Sequence, residues 1–158
     1  MTALSRHALV ASVSLLGVSI VSFAHHGWSS FDETRPLYIE GTVKSVRWQN
    51  PHAELVLETA GSPPPANLAM LPVPRQNAGV DSARVLASAR LPTRKDKEWN
   101  IELAPLTRME AWKVREIKTG ERVAVVGYTF KDEKGSATLR AEFLLRDGSV
   151  TPLRSAPL

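Results

Sequence analysis

The sequence contains no cysteine. That excludes a disulfide framework, a thiolate metal site, a lipid-modified N-terminal cysteine and cysteine-based catalysis. Aromatic residues are scarce, at 6%, and acidic side chains are the minority sign, 16 Asp+Glu against 20 Lys+Arg. No HExxH pattern, phosphate-binding glycine loop or nucleophile motif occurs, so a hydrolytic zinc site or a known triad is not expected. A twin-arginine pair is missing near the N-terminus, which leaves general secretion as the default route for an exported chain.

What is present is the composition of a foldable chain. At 158 residues, 43% hydrophobic and 23% charged, it fits one domain and is not wholly disordered. Residues 1–24 carry one charged side chain, Arg6, followed by an apolar stretch over 8–23. Ser22-Phe23-Ala24 then puts small residues at −3 and −1, the pattern of a secretory signal peptide. The stretch is shorter than the roughly 20 residues a spanning helix needs. The expectation is cleavage between Ala24 and His25, a periplasmic location and no membrane anchor after processing.

Residues 25–158 read as a single domain. Over 38–48, Ile39, Gly41 and Val43 alternate with Glu40, Thr42 and Lys44, which predicts a half-buried strand. The alternation slips between Val43 and Val46, and with Gly41 inside the run it predicts a bulged, strongly curved strand. Gln49-Asn50-Pro51 predicts a turn, and 52–59 a second strand. Trp99, Ile101 and Leu103 mark a third strand over 98–103. Pro105 suits the first position of a helix, and Leu106, Met109, Trp112 or Lys113, and Ile117 trace a helical stripe ending at Gly120. Strands follow over 121–130 and 137–146, the latter alternating Leu139, Ala141, Phe143 and Leu145, with Asp132–Gly135 and Asp147-Gly148 as turns and a short edge over 150–153.

Residues 60–97 differ from this pattern. They hold Pro63, Pro64, Pro65, Pro72, Pro74 and Pro92, many alanines and no aromatic residue. This composition predicts a Pro/Ala-rich flexible insertion between strands two and three, with one short helix over 81–91 capped by Asp81. Arg75, Arg84, Arg90, Arg94, Lys95 and Lys97 face only Asp81 and Asp96 here. The basic excess behind the pI of about 9.7 therefore lies on a loop, and nucleic acid is not expected as a partner. The element order, β-β-(insertion)-β-α-β-β, predicts a mainly β protein: a small OB-fold-like five-stranded barrel with one helix.

Several stretches resemble a family of small exported bacterial proteins known as domain of unknown function 6152. They are HHGWSSFD from His25, RPLYIEGTVKSVRWQNPHAELVLE from Arg35, IKTGERVAVVGYTF from Ile117 and RAEFLLRDG from Arg140. The most specific elements are His25-His26 and Asn50-Pro51-His52. The resemblance implies export and supports the fold, whereas the family carries no known activity. Residues 60–97 replace a much shorter connection in most members, and Gly27-Trp28 stands where many have Ser-Phe.

Cleavage before His25 would create an N-terminal histidine whose α-amine and ring nitrogen can chelate one metal. Nitrogen ligands of this kind suit Cu(II) best. A third nitrogen from His26 or His52 would complete a site resembling the histidine brace of copper polysaccharide monooxygenases and periplasmic copper carriers. A straight strand of about 12 residues would span about 40 Å. The segment from His25 to Arg35 reaches at most about 36 Å, so the histidines meet only if that segment runs back along the strand or the strand coils.

Other constellations carry less chemistry. Asp32 and Glu33 are adjacent and point apart on an extended segment. Arg140 and Glu142 are expected to share a strand face, pairing or facing solvent, and Trp28, Trp48, Trp99 and Trp112 to serve mainly as core or rim. The leading expectation is a non-enzymatic exported barrel that binds a small ligand or an envelope protein. Copper handling through His25 with His26 or His52 is the alternative, and a purely structural envelope role the third.

Overall fold

The computed structural model describes residues 27–158. The expected signal peptide, its cleavage point, His25 and His26 lie outside the described residues. Six strands are present: β1 (Leu37–Arg47), β2 (Glu54–Thr59), β3 (Glu98–Glu102), β4 (Arg122–Tyr128), β5 (Thr138–Arg146) and β6 (Ser149–Pro152). Two short helices accompany them, α1 (Ser82–Ser88) and α2 (Leu106–Ala111). No helix among the described residues is long and apolar enough to cross a membrane.

β1 pairs antiparallel with both β2 and β4, β2 with β3, and β4 with β5; a parallel β3–β5 pairing then closes the ring. The result is the expected OB-like five-stranded barrel, with β6 added to β5. Leu37, Ile39, Val43, Leu55, Leu57, Trp99, Ile101, Val123, Val125 and Leu139 fill the interior. β1 serves both halves because it bends. Its register skips a residue between Val43 and Ser45, where the alternation slips, and a Cβ at position 41 would meet the Glu58 carbonyl oxygen at 2.4 Å. Only glycine permits that approach.

A second bulge corrects the reading of β5. Val126 pairs with Phe143 and Gly127 with Ala141, leaving Glu142 as the extra residue. The phase of the strand therefore flips. Leu139, Ala141 and Leu144 point into the barrel, while Phe143 and Leu145 join an outer cluster. Gly127 makes the bulge feasible, since a Cβ there would lie 2.1 Å from the Arg140 carbonyl oxygen.

α2 is shorter than the stripe through Ile117 predicts. Lys113 adopts a left-handed conformation, φ 56°, and the amides of Lys113 and Val114 return to the carbonyls of Glu110 and Met109. That is a Schellman stop with lysine in the usual glycine position. Met109 plugs the barrel, and Ile117 still reaches the core from the loop beyond. Trp112 turns away from the plug and donates Nε1–H to the Ser155 carbonyl at 2.8 Å.

The segment 60–97 lies against the barrel. Leu68 and Leu86 are buried beside Tyr38, Ala124, Val126, Phe143 and Val150, on the outer surface of β1, β4 and β5. Asp81 caps α1 as expected, its Oδ1 accepting from the Arg84 amide at 3.0 Å. Backbone bonds hold the segment near its middle and toward its C-terminal end. The Tyr38 amide donates to Arg90 at 2.8 Å, and Asn77 and Leu158 pair residues 75–77 with the C-terminal tail. The anchors are aliphatic, so the lack of aromatics conceals them. Burying one leucine of this kind contributes about 1.5–3 kcal/mol. β4 carries the complementary signal: Val123 to Tyr128 are all buried, the mark of a strand covered on both faces.

Candidate functional site

Of the three candidate histidines, the described residues contain His52. It follows the Gln49-Asn50-Pro51 turn, where the Asn50 side chain accepts the Leu106 amide at 3.2 Å and so ties the turn to the start of α2. His52 Nε2 lies 3.0 Å from Arg140 Nη2. Arginine has no acceptor and stays protonated, so Nε2 accepts and the ring is neutral in this pairing. Among the described residues no group of three His, Asp or Glu side chains is arranged to hold a metal.

Around His52 the chain builds a charged cluster. Arg140 is 6% exposed and donates to Glu102 at 2.9 Å. Arg154, just after β6, donates to Glu142 through Nε at 2.8 Å and Nη2 at 2.5 Å, and to Glu33 at 2.7 Å. The Trp28 ring meets both guanidinium groups, 3.5 Å from Arg154 and 5.0 Å from Arg140, with Tyr128 edge-on at 6.4 Å. Arg140 and Glu142 thus neither pair with each other nor face solvent, because the β5 bulge sends each to a different partner. Burial raises the Glu142 carboxyl above its ordinary range against the opposing pull of Arg154. Burial and nearby Arg140 lower Arg108, which holds the Leu153 carbonyl at 2.9 Å.

This cluster is a clamp. Its carboxylates are matched by its guanidiniums, and it joins the N-terminal segment, β5 and the tail around Trp28. Next to it, the Ser155 amide donates to Gln76 at 3.0 Å, tying in the insertion. The four tryptophans are likewise engaged internally: Trp99 is in the core, Trp48 packs against it, Trp112 holds Ser155 and Trp28 holds Arg154.

An open groove lies elsewhere among the described residues. A groove of about 540 Å³ lies between the two legs of the insertion, residues 59–61 where it leaves the barrel and 91–97 where it returns, with Tyr38, Ile39 and Trp99 completing the lining. Arg94 shapes the returning leg. It donates to Asp96 at 2.6 Å and, through Nη1, to the carbonyls of Glu133, Gly135 and Ser136. Glu133 in turn accepts the amides of Thr93 and Arg94. The sequence alone shows Lys95 and Lys97 only as part of a basic loop; nothing local says that two distant legs converge around β1.

Residues 11–68 match the model of a family of unknown function, DUF6152. The match bears out the resemblance drawn from the His25-His26 start and the Asn50-Pro51-His52 turn, and ends at Leu68, the first buried anchor of the insertion. The groove's returning leg lies beyond the stretch matched to DUF6152. No curated protein and no solved structure matches the chain.

Proposed function

We propose that the protein is an exported, non-catalytic binding module whose ligand occupies the groove between the insertion legs. The groove carries this reading: its volume of about 540 Å³ falls in the range of sites for small organic molecules, roughly 300–1,000 Å³. The most buried carboxylates, Glu102, Glu133 and Glu142, are bound to arginines or backbone amides. A nucleic-acid role is disfavoured by charge. OB-folds bind oligonucleotides on the strand 2–3 surface, and here that surface carries Glu54, Glu58, Glu98 and Glu102; Glu54, Glu98 and Glu102 tie up Arg47, Lys44 and Arg140 in ion pairs and leave no basic excess to hold phosphates. The test is ligand-induced thermal stabilisation of the processed protein across a panel of small organic molecules, repeated with Ala60→Trp to fill the groove. Hits that stabilise the parent and not the filled variant support the reading; hits that stabilise both place binding elsewhere.

Copper handling through the mature N-terminus is the second reading. One observation favours it: Trp28 and His52 both contact Arg140, so the segment following His26 runs back along the barrel toward the Asn50–His52 turn, as a brace requires. One observation opposes it, since His52 Nε2 is committed to a guanidinium. Copper titration with electron paramagnetic resonance decides. Nitrogen ligation lost on adding a residue before His25, and on His52→Ala, supports a brace; copper binding indifferent to both changes removes it.

A further inference from the structure

We infer that the groove takes a small organic anion with an apolar body, its charged end held by Lys95 and Lys97; this rests on the binding-module reading above. Size sets the first condition. A space of about 540 Å³ is far larger than an inorganic ion and suits an organic molecule.

Charge sets the second. Four side chains that are charged at neutral pH line the groove: Arg94, Lys95, Asp96 and Lys97. Arg94 and Asp96 neutralise each other through two hydrogen bonds, Nε to Oδ2 at 2.6 Å and Nη2 to Oδ1 at 3.2 Å. Arg94 is pinned further by three backbone carbonyls, so its charge cannot swing into the groove. Neighbouring Glu98 is engaged by Lys44 on the adjoining surface. Lys95 and Lys97 remain, both exposed and neither ion-paired among the described residues. The lining therefore carries two uncompensated positive charges on a leg whose backbone is fixed, the Thr59 amide donating to the Lys97 carbonyl at 2.8 Å.

Apolar surface sets the third condition. Leu91 and Pro92, both half-buried, precede the lysines on the same leg and also line the groove. Tyr38 offers little polar recognition, because its hydroxyl donates to Glu40 at 3.2 Å. The lining thus combines two free cations, Lys95 and Lys97, with an apolar stretch, Leu91 and Pro92. A cation would fail the charge condition, and a uniformly polar ligand the apolar one.

Two fluorescent probes with the same aromatic body separate the parts of this inference: 1-anilinonaphthalene-8-sulfonate, which is anionic, and N-phenyl-1-naphthylamine, which is neutral. The expected result is saturable binding of one sulfonate per folded chain, with the neutral amine roughly tenfold weaker. Lys95→Ala combined with Lys97→Ala should bring the sulfonate down to the level of the amine without moving the thermal midpoint. On the unaltered protein, raising salt should weaken the sulfonate and leave the amine unchanged. Equal affinities for the two probes, or a salt-independent sulfonate, would overturn the anion assignment while leaving the binding module intact. If neither probe binds, or if Ala60→Trp leaves both bound, the groove is not the ligand site and both readings fall.

Discussion

Arg154 grips a single oxygen of Glu142, from Nε at 2.8 Å and Nη2 at 2.5 Å, and the carboxylate it holds has no exposed surface. The bulge in β5 creates the relationship by turning Glu142 out of register, and the tail after β6 answers it. Removing one partner strands a buried charge, at a cost of about 3–5 kcal/mol. Arg154→Ala should therefore lower stability by about that amount in denaturant titration. Glu142→Leu with Arg154→Leu should cost less than Arg154→Ala alone, and a double variant at least as unstable would show that the pair's charge is not what matters.

The same carboxylate gives a pH dependence with a defined sign. Its folded value lies above its ordinary 4.5, chiefly through burial. The native state thus binds this proton more tightly than the unfolded chain does, and the associated stability is present below 4.5 and lost as pH rises through the folded value. Glu142→Gln lacks this dependence. The stability gap between Glu142→Gln and the parent should move in the variant's favour as pH climbs above 4.5, and a flat gap would contradict the shift.

Alkaline titration tests burial at two other points. The chain has two tyrosines, Tyr38 and Tyr128, and burial pushes each up to about 12. Phenolate absorbance should accordingly rise with a midpoint near 12, and stability should fall from pH 10 upward as the buried neutral rings are forced to ionise. A midpoint near the ordinary value of 10 would place both rings in water.

The insertion should resist proteolysis. Leu68 and Leu86 fasten residues 60–97 to the barrel, so trypsin should cut slowly at Arg75, Arg84 and Arg90 in the native protein. Leu86→Ala should cost about 2–5 kcal/mol and expose these sites. Rapid cleavage of the unaltered protein that leaves a folded remainder would mean that the segment detaches readily.

Export is tested by intact mass. Protein recovered from the periplasm should begin at His25, because Ala24 and Ser22 satisfy the small-residue rule and Phe23 does not. A mass corresponding to a start at Ala24 would move the free amine off His25 and rule out a brace.

The sequence by itself determined the barrel. Alternation in β1 to β3, the slip between Val43 and Val46, and the helix after Pro105 are local signals, because a strand buried on one face must alternate and a bulge must break that alternation. Asp81 announced its cap for the same reason, since its partner is three residues away. Tertiary structure alone decided the rest. Phe143 reads as core by period, yet a bulge fixed by the β4 partner at Gly127 turns it outward and buries Glu142. Leu86 reads as part of a loose segment, yet the outer surface of β4 gives it something to pack against. Arg154 brings Glu142 of β5 together with Glu33 and Trp28 of the N-terminal segment, and Lys95 and Lys97 come to flank a groove only because their leg returns beside residues 59–61. Periodicity reports how one segment meets a surface; which surface it meets depends on contacts between residues that local sequence does not couple.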